Sequence, residues 1–187
     1  MAHKFDAKNA GILESVDRQK FLNPDSILEK AGLDSDTVIA DLGCGSGYFA
    51  IPASKMVKKV YAIDVQQEML DIVREKIRKG KLTNIVTVLS EESSIPLPDN
   101  SADVLFMANV FHELDDRDPI LKEGKRILRR FGRLIIIDWK KMEMDFGPPM
   151  EERLTADEVV SICEEGGFRV MERMEAGMYN YMLVFGI

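Results

Sequence analysis

The chain has 187 residues, 45% of them hydrophobic and 30% charged, a balance expected of one globular domain with enough apolar material for a sizeable core. A formal net charge of −7 argues against a broad electrostatic hold on nucleic acid, and no apolar run approaches the roughly 20 residues of a membrane span. The two cysteines, Cys44 and Cys163, lie too far apart for a disulfide framework or a metal-binding spacing, and "MAHKFDAKNAG" contains no apolar leader, so a metal-free cytoplasmic protein is expected.

The predicted elements alternate. "TVIADL" (37–42) reads as a buried strand, and "YFAIPASKMV" (48–57) as the helix after it. "KVYAID" (59–64) is a second strand. The stretch 66–80 is a helix with Met69, Ile72, Val73 and Ile77 at helical spacing, stopped by Gly80. "IVTVL" (85–89) and "ADVLFMAN" (102–109) are strands, 118–129 a helix, and "RLIIIDW" (133–139) a fifth strand. Thr155 and Glu158 form a capping-box pattern that opens a helix to about Glu165, and Gly166–Gly167 close it. Two last strands, 168–176 and 180–187, form a hairpin. With no repeat or linker, residues 1–187 are expected to form a single α/β domain: a doubly wound, mostly parallel seven-stranded sheet with an antiparallel C-terminal hairpin.

Three alternating glycines, Gly43, Gly45 and Gly47, follow Asp41 at the end of the first strand. Ligands of such sheets bind beyond the carboxyl ends of the strands, and a loop without Cβ atoms lets backbone N–H groups approach closely. The dinucleotide fingerprint G-x-G-x-x-G is incomplete, because position 48 is Tyr48. Asp64 ends the second strand, 21 positions after Gly43 (64 − 43), where a carboxylate can accept from ribose hydroxyls of either a dinucleotide or another adenosyl ligand.

The blocks "VIADLGCGSGYFAIPASKM", "VYAIDVQQEMLDIVREK", "IPLPDNSADVLF" and "VFHEL", in that order, resemble the class I S-adenosylmethionine-dependent methyltransferases, which have a Rossmann-like fold. Within them the chain is most similar to the small branch related to ubiquinone/menaquinone-biosynthesis C-methyltransferases. The resemblance implies S-adenosylmethionine as cofactor and a small-molecule methyl acceptor; the family's amino-directed nucleic-acid enzymes carry an Asn/Asp-Pro-Pro-aromatic motif where this chain reads "ANVF" (108–111), so with the negative net charge no nucleic-acid partner is expected. It implies that Asp41 organises the loop, that Gly43, Cys44, Gly45 and Gly47 cradle the methionine end, and that Asp64 holds the ribose. Val65 and Met69 would flank the adenine. Glu91 would accept from the adenine amino group, in a place where the family more often has aspartate, and Glu92 would set its N–H near the ring. Asn109 would face the methionine part, and His112 occupies the family's histidine position after strand four.

Methyl transfer to oxygen or carbon usually needs the acceptor deprotonated, and the candidate general bases are His112, Glu113, Asp115 and Asp116, just beyond strand four. His112 leads because its ordinary pKa suits the task, with a wall of the cofactor pocket as its alternative and a solvated helix start as that of Asp115 and Asp116. Trp139, at the end of strand five, and Arg153, in a long Met- and Pro-rich loop, are candidates for the acceptor pocket, Arg153 for an anionic acceptor; the alternatives are core packing for Trp139 and a surface salt bridge for Arg153. Residues 1–24 are a candidate lid, with Phe5 stacking near the ligand. The competing readings are an NAD-type oxidoreductase and a cofactor-binding partner subunit without catalysis. The oligomeric state is open, a homodimer included.

Overall fold

The computed structural model describes residues 16–187; Phe5 and most of the expected lid lie outside the described residues. Seven strands form one sheet: β1 (Val38–Leu42), β2 (Lys59–Asp64), β3 (Ile85–Leu89), β4 (Ala102–Ala108), β5 (Leu128–Trp139), β6 (Arg169–Glu175) and β7 (Asn180–Gly186). Their spatial order is β3-β2-β1-β4-β5-β7-β6. The first five are parallel, and β7 runs antiparallel between β5 and β6, as the hairpin predicts.

The strands carry apolar residues on both faces because helices cover both. Ile39, Val104, Phe106, Ile135 and Ile137 enter one core, while their strand neighbours Ala40, Leu105, Leu134 and Ile136 enter the other. The first core is closed by α2 (Pro24–Lys30), α3 (Ala50–Ala53) and α4 (Gln67–Gly80), the second by α5 (Asp118–Ile127) and α6 (Ala156–Glu165). The chain order reverses between β1 and β4, which is the switch point where such sheets open a ligand crevice.

Several boundaries differ from expectation. The helix expected over 48–57 shrinks to the four residues of α3. Ser54 donates its hydroxyl to the Ile51 carbonyl (2.7 Å), one of the local side-chain bonds that compete with helix continuation. Helix α4 is not stopped by Gly80, its last residue; Lys81 takes the left-handed conformation (φ 51°), and Leu82 N–H caps the Ile77 carbonyl at 3.0 Å. Strand β5 starts at Leu128, earlier than expected, with a register shift opposite Ala102–Val104. Two short helices were not expected at all: α2, capped by the Asn23 side chain on Ser26 N–H (3.0 Å), and α1 (Val16–Phe21). The Thr155–Glu158 capping box forms as predicted.

Candidate functional site

A cavity of about 1680 Å³ opens over the carboxyl ends of the central strands. The glycine loop forms its floor at one end. Gly43 N–H and Cys44 N–H both donate to the Ile63 carbonyl (2.8 and 2.9 Å), clamping the loop onto β2. Gly43 has φ 69°, and a Cβ there would sit 2.4 Å from Val110 Cγ2. Part of the glycine signal therefore comes from packing: Val110, at the end of β4, needs the space. Tyr48, the residue that breaks the dinucleotide pattern, is buried and donates its hydroxyl to the Leu22 carbonyl (2.7 Å), tying the loop to the α1–α2 link.

Asp64 is 6% exposed. Its carboxylate accepts from Gly45 N–H (2.8 Å) and Gln66 N–H (2.9 Å), so the acid at the end of β2 also shapes the loop at the end of β1. Burial pushes its pKa up, against the pull of those backbone donors. Beside it, Met69 is buried while Val65 is 40% exposed and lines the cavity. Glu91 and Glu92 line the same end and are exposed. Asn109 takes the left-handed conformation (φ 59°) as β4 ends; its side-chain oxygen accepts from the buried Asn180 amide (2.9 Å), and its own Nδ2 finds no partner. Ser90, which the sequence did not single out, is buried at the end of β3 and lines the cavity, with a hydroxyl that has no partner. Cys44 is buried too. Burial, Asp41 and Asp64 push its thiol far above the usual range, so it stays a protonated, inert loop residue.

The other end belongs to β4, β5 and the loops around them. His112 is 5% exposed, in a 3-10 turn (Phe111–Glu113) after β4. Asp138, 1% exposed at the end of β5, accepts from the His112 backbone N–H (3.0 Å) and lies 2.7 Å from its Nδ1. Asp138 was missed in the sequence. Its signal was there: an acid closing an apolar strand, as Asp41 and Asp64 do. Burial alone would lower the His112 pKa; the hydrogen bond and charge of Asp138, with Glu113 and Glu152, outweigh it and raise the pKa above the ordinary value.

Trp139 lines the cavity within a cluster of rings. Phe21 of α1 stacks on Phe146 (5.1 Å between centroids) and meets Tyr179 edge-on (5.5 Å); Trp139 lies 6.0 Å from Phe146. Gly147 has φ 84°, and a Cβ there would sit 3.5 Å from Cε3 of the Trp139 indole. Arg153, a candidate for an anionic acceptor or a surface salt bridge, is instead committed to the protein backbone. It is 4% exposed, and its guanidinium donates to the carbonyls of Pro148 (2.8 Å), Met142 (2.6 Å) and Phe146 (3.1 Å). All three sides of its fork are spent on holding the 142–148 loop in place. Among the described residues, no group of His, Cys, Asp and Glu is placed to hold a metal ion, and no helix is long and apolar enough to cross a membrane.

Comparison with known proteins places this geometry. Residues 40–136 match a family described as a methyltransferase domain. The crystal structure of a SAM-dependent methyltransferase from Aquifex aeolicus superposes with a TM-score of 0.93 at 41% identity, covering 98% of this chain and 100% of that one. The ubiquinone/menaquinone biosynthesis C-methyltransferase UbiE of Shewanella sediminis is 30% identical over 122 residues, 63% of this chain and 49% of that protein, so the match spans about half the length of that curated relative. The [4+2]-cyclase SpnF shares the fold (TM-score 0.76, covering 87% of this chain and 78% of that one) at 17% identity.

Proposed function

This chain belongs to the S-adenosylmethionine-dependent methyltransferases, and on that premise we propose that it transfers a methyl group from S-adenosylmethionine to a small-molecule acceptor held at the aromatic end of the cavity. When bound, the cofactor supplies an electrophilic methyl on a sulfonium; the protein's part is positioning and proton handling. The residues present fit the cofactor. Asp64 presents a buried carboxylate to the cavity, Val65 an exposed apolar side chain next to it, and Ser90 Oγ and Asn109 Nδ2 are buried polar atoms without a protein partner. In this reading Asp41, Gly43, Cys44, Gly45, Gly47 and Asn109 hold the methionine end, Asp64 the ribose, and Val65, Met69, Glu91 and Glu92 the adenine.

One observation carries the reading: a single cavity joins the glycine-loop end to His112 and Trp139, so donor and acceptor share one enclosure. The wall of Phe21, Trp139, Phe146 and Tyr179 favours a flat apolar acceptor, and the names of the curated relatives point to quinone-related rings. Glu113, Asp115, Asp116 and Glu152 line that end, while Arg153 is engaged elsewhere, so an uncharged acceptor is favoured over an anionic one.

The experiment is incubation with methyl-labelled cofactor and a metabolite extract. The reading predicts a labelled low-molecular-weight product. Saturable cofactor binding with no labelled product would favour a non-catalytic binding protein, and binding of NAD in place of S-adenosylmethionine would restore the oxidoreductase reading.

A further inference from the structure

Histidine and aspartate meet only once among the described residues, and they meet at the acceptor end of the cavity. Asp138 is held rigidly. One oxygen accepts from the His112 backbone N–H (3.0 Å); the other accepts from Trp139 N–H (2.8 Å) and lies 2.7 Å from His112 Nδ1. A carboxylate at Nδ1 keeps the proton on that nitrogen and leaves the Nε2 lone pair as the basic site. Nε2 lies on the side of Glu113, whose Oε1 is 3.9 Å away. Glu152 also lines the cavity, and its Oε2 is buried without a hydrogen-bond partner. Three carboxylates thus surround one imidazole and favour its cationic form.

We propose that Asp138 is the positioning residue of a His112–Asp138 proton-accepting pair, and that the acceptor is therefore a compound that gives up a proton as it takes the methyl, through a hydroxyl or an acidic C–H. The inference rests on the methyl-transfer reading and deepens it. The balance is simple. The proton leaves the acceptor for His112 Nε2, and the freed electron pair forms the bond to the methyl carbon. The carbon–sulfur bond breaks with its pair on sulfur, leaving a neutral thioether, and His112 ends as an imidazolium paired with Asp138. No oxidant or further reactant is needed. A histidine that only walled the pocket would need neither a fixed tautomer nor a buried carboxylate, whose desolvation is costly.

The groups facing the imidazole come from every element around it. They are Asp138 on β5, Glu113 on the same 3-10 turn and Glu152 on the turn before α6; Arg117 before α5 donates to the His112 backbone carbonyl at 3.4 Å. Tyr181 on β7 lies near Asp138; burial and that carboxylate push its phenol well up, so it stays neutral throughout.

The chain holds two histidines, His3 and His112, which makes the test clean. On a His3→Gln background, NMR follows the titration of the single remaining imidazole. Asp138→Asn should lower the His112 pKa by at least one pH unit and loosen the tautomer; an unchanged titration overturns the pairing. In parallel, calorimetry with S-adenosylmethionine should show cofactor affinity within about twofold of wild type for both His112→Gln and Asp138→Asn. Labelled transfer into the extract should fall at least 100-fold in the first and at least tenfold in the second, with the residual pH profile of Asp138→Asn moved to lower pH. Unchanged transfer in His112→Gln, or cofactor affinity lost together with transfer in Asp138→Asn, overturns the proposal. Wild-type protein that binds the cofactor yet labels nothing defeats the methyl-transfer reading, and the base role with it, while the NMR arm still reports on the pair.

Discussion

The two ends of the cavity are built on different principles. At the glycine-loop end, the proposed cofactor end, the glycine loop, Asp64 and Ser90 lie at or just past the carboxyl ends of β1, β2 and β3, and hydrogen bonds from the backbone N–H groups of Gly43, Cys44 and Gly45 lock one strand end to the next. At the acceptor end, Phe21 and Tyr179 meet across most of the chain's length, and side chains do the joining: stacked rings, the Arg153 fork, and the Asp138 carboxylate. The first end is part of the sheet and should be as stable as the sheet. The second is a set of loops leaning on one another, and it is where a change of substrate could be accommodated without disturbing the fold.

Substitutions can break this contrast. The largest effect is expected at Gly43, because a Cβ there meets Val110 Cγ2 at 2.4 Å and the backbone is left-handed. Gly43→Ala should cost about 2–5 kcal/mol from overpacking and strain, read by denaturant unfolding, and Val110→Ala in the same chain should return part of it. Full additivity of the two changes would show that the loop and the β4 end do not constrain each other. Next comes Asp64→Ala. It removes a buried acceptor from the loop and, in the proposed reading, from the cofactor's ribose, and calorimetry should show cofactor affinity reduced by about 1.5–3 kcal/mol.

Smaller in effect, and confined to the other end, is Arg153→Met. It frees three carbonyls of the 142–148 loop and should cost about 1–3 kcal/mol of stability. The emission of Trp139, the sole tryptophan, should shift as its ring neighbours loosen, while cofactor affinity holds. A loss of cofactor affinity would mean that the two ends are mechanically coupled.

The smallest effect is a pH dependence. The folded-state pKa of His112 is raised above its ordinary value, so its protonated form stabilises the fold. That contribution is fully present below the unfolded pKa of about 6.5 and is lost as pH rises through the folded one. The melting temperature of wild type relative to His112→Gln should therefore be more favourable at pH 5.5 than at pH 9. The opposite slope would contradict the Asp138 pairing.

The same contrast explains what the sequence could convey. The parallel sheet, the hairpin and the capping box are legible because periodicity and caps are local; so is the grouping of the glycine loop, Asp64, Val65, Glu91 and Glu92 along one rim of the cavity, because each lies within a few residues of a strand end. Helix α3 was overestimated because an apolar stretch was read without the Ser54 bond that competes with helix. At Gly43 the sequence shows a loop position without a Cβ but not the packing that also requires it, since Val110 lies 67 residues downstream (110 − 43). For Arg153 the sequence offers an anionic acceptor or a surface salt bridge; only the folded loop reveals three carbonyls converging on it. The ring cluster joins α1, β5, a loop and the hairpin, and no spacing rule connects them.

The most direct test is calorimetric titration of S-adenosylmethionine into wild-type protein, Asp64→Ala and Arg153→Met under one buffer condition. Saturable one-to-one binding by wild type, weakened about ten- to a hundredfold in Asp64→Ala and unchanged in Arg153→Met, is the predicted result. Absence of saturable binding by wild type, or an equal loss in both variants, would contradict a cofactor site written into the strand ends and independent of the loops that hold the acceptor.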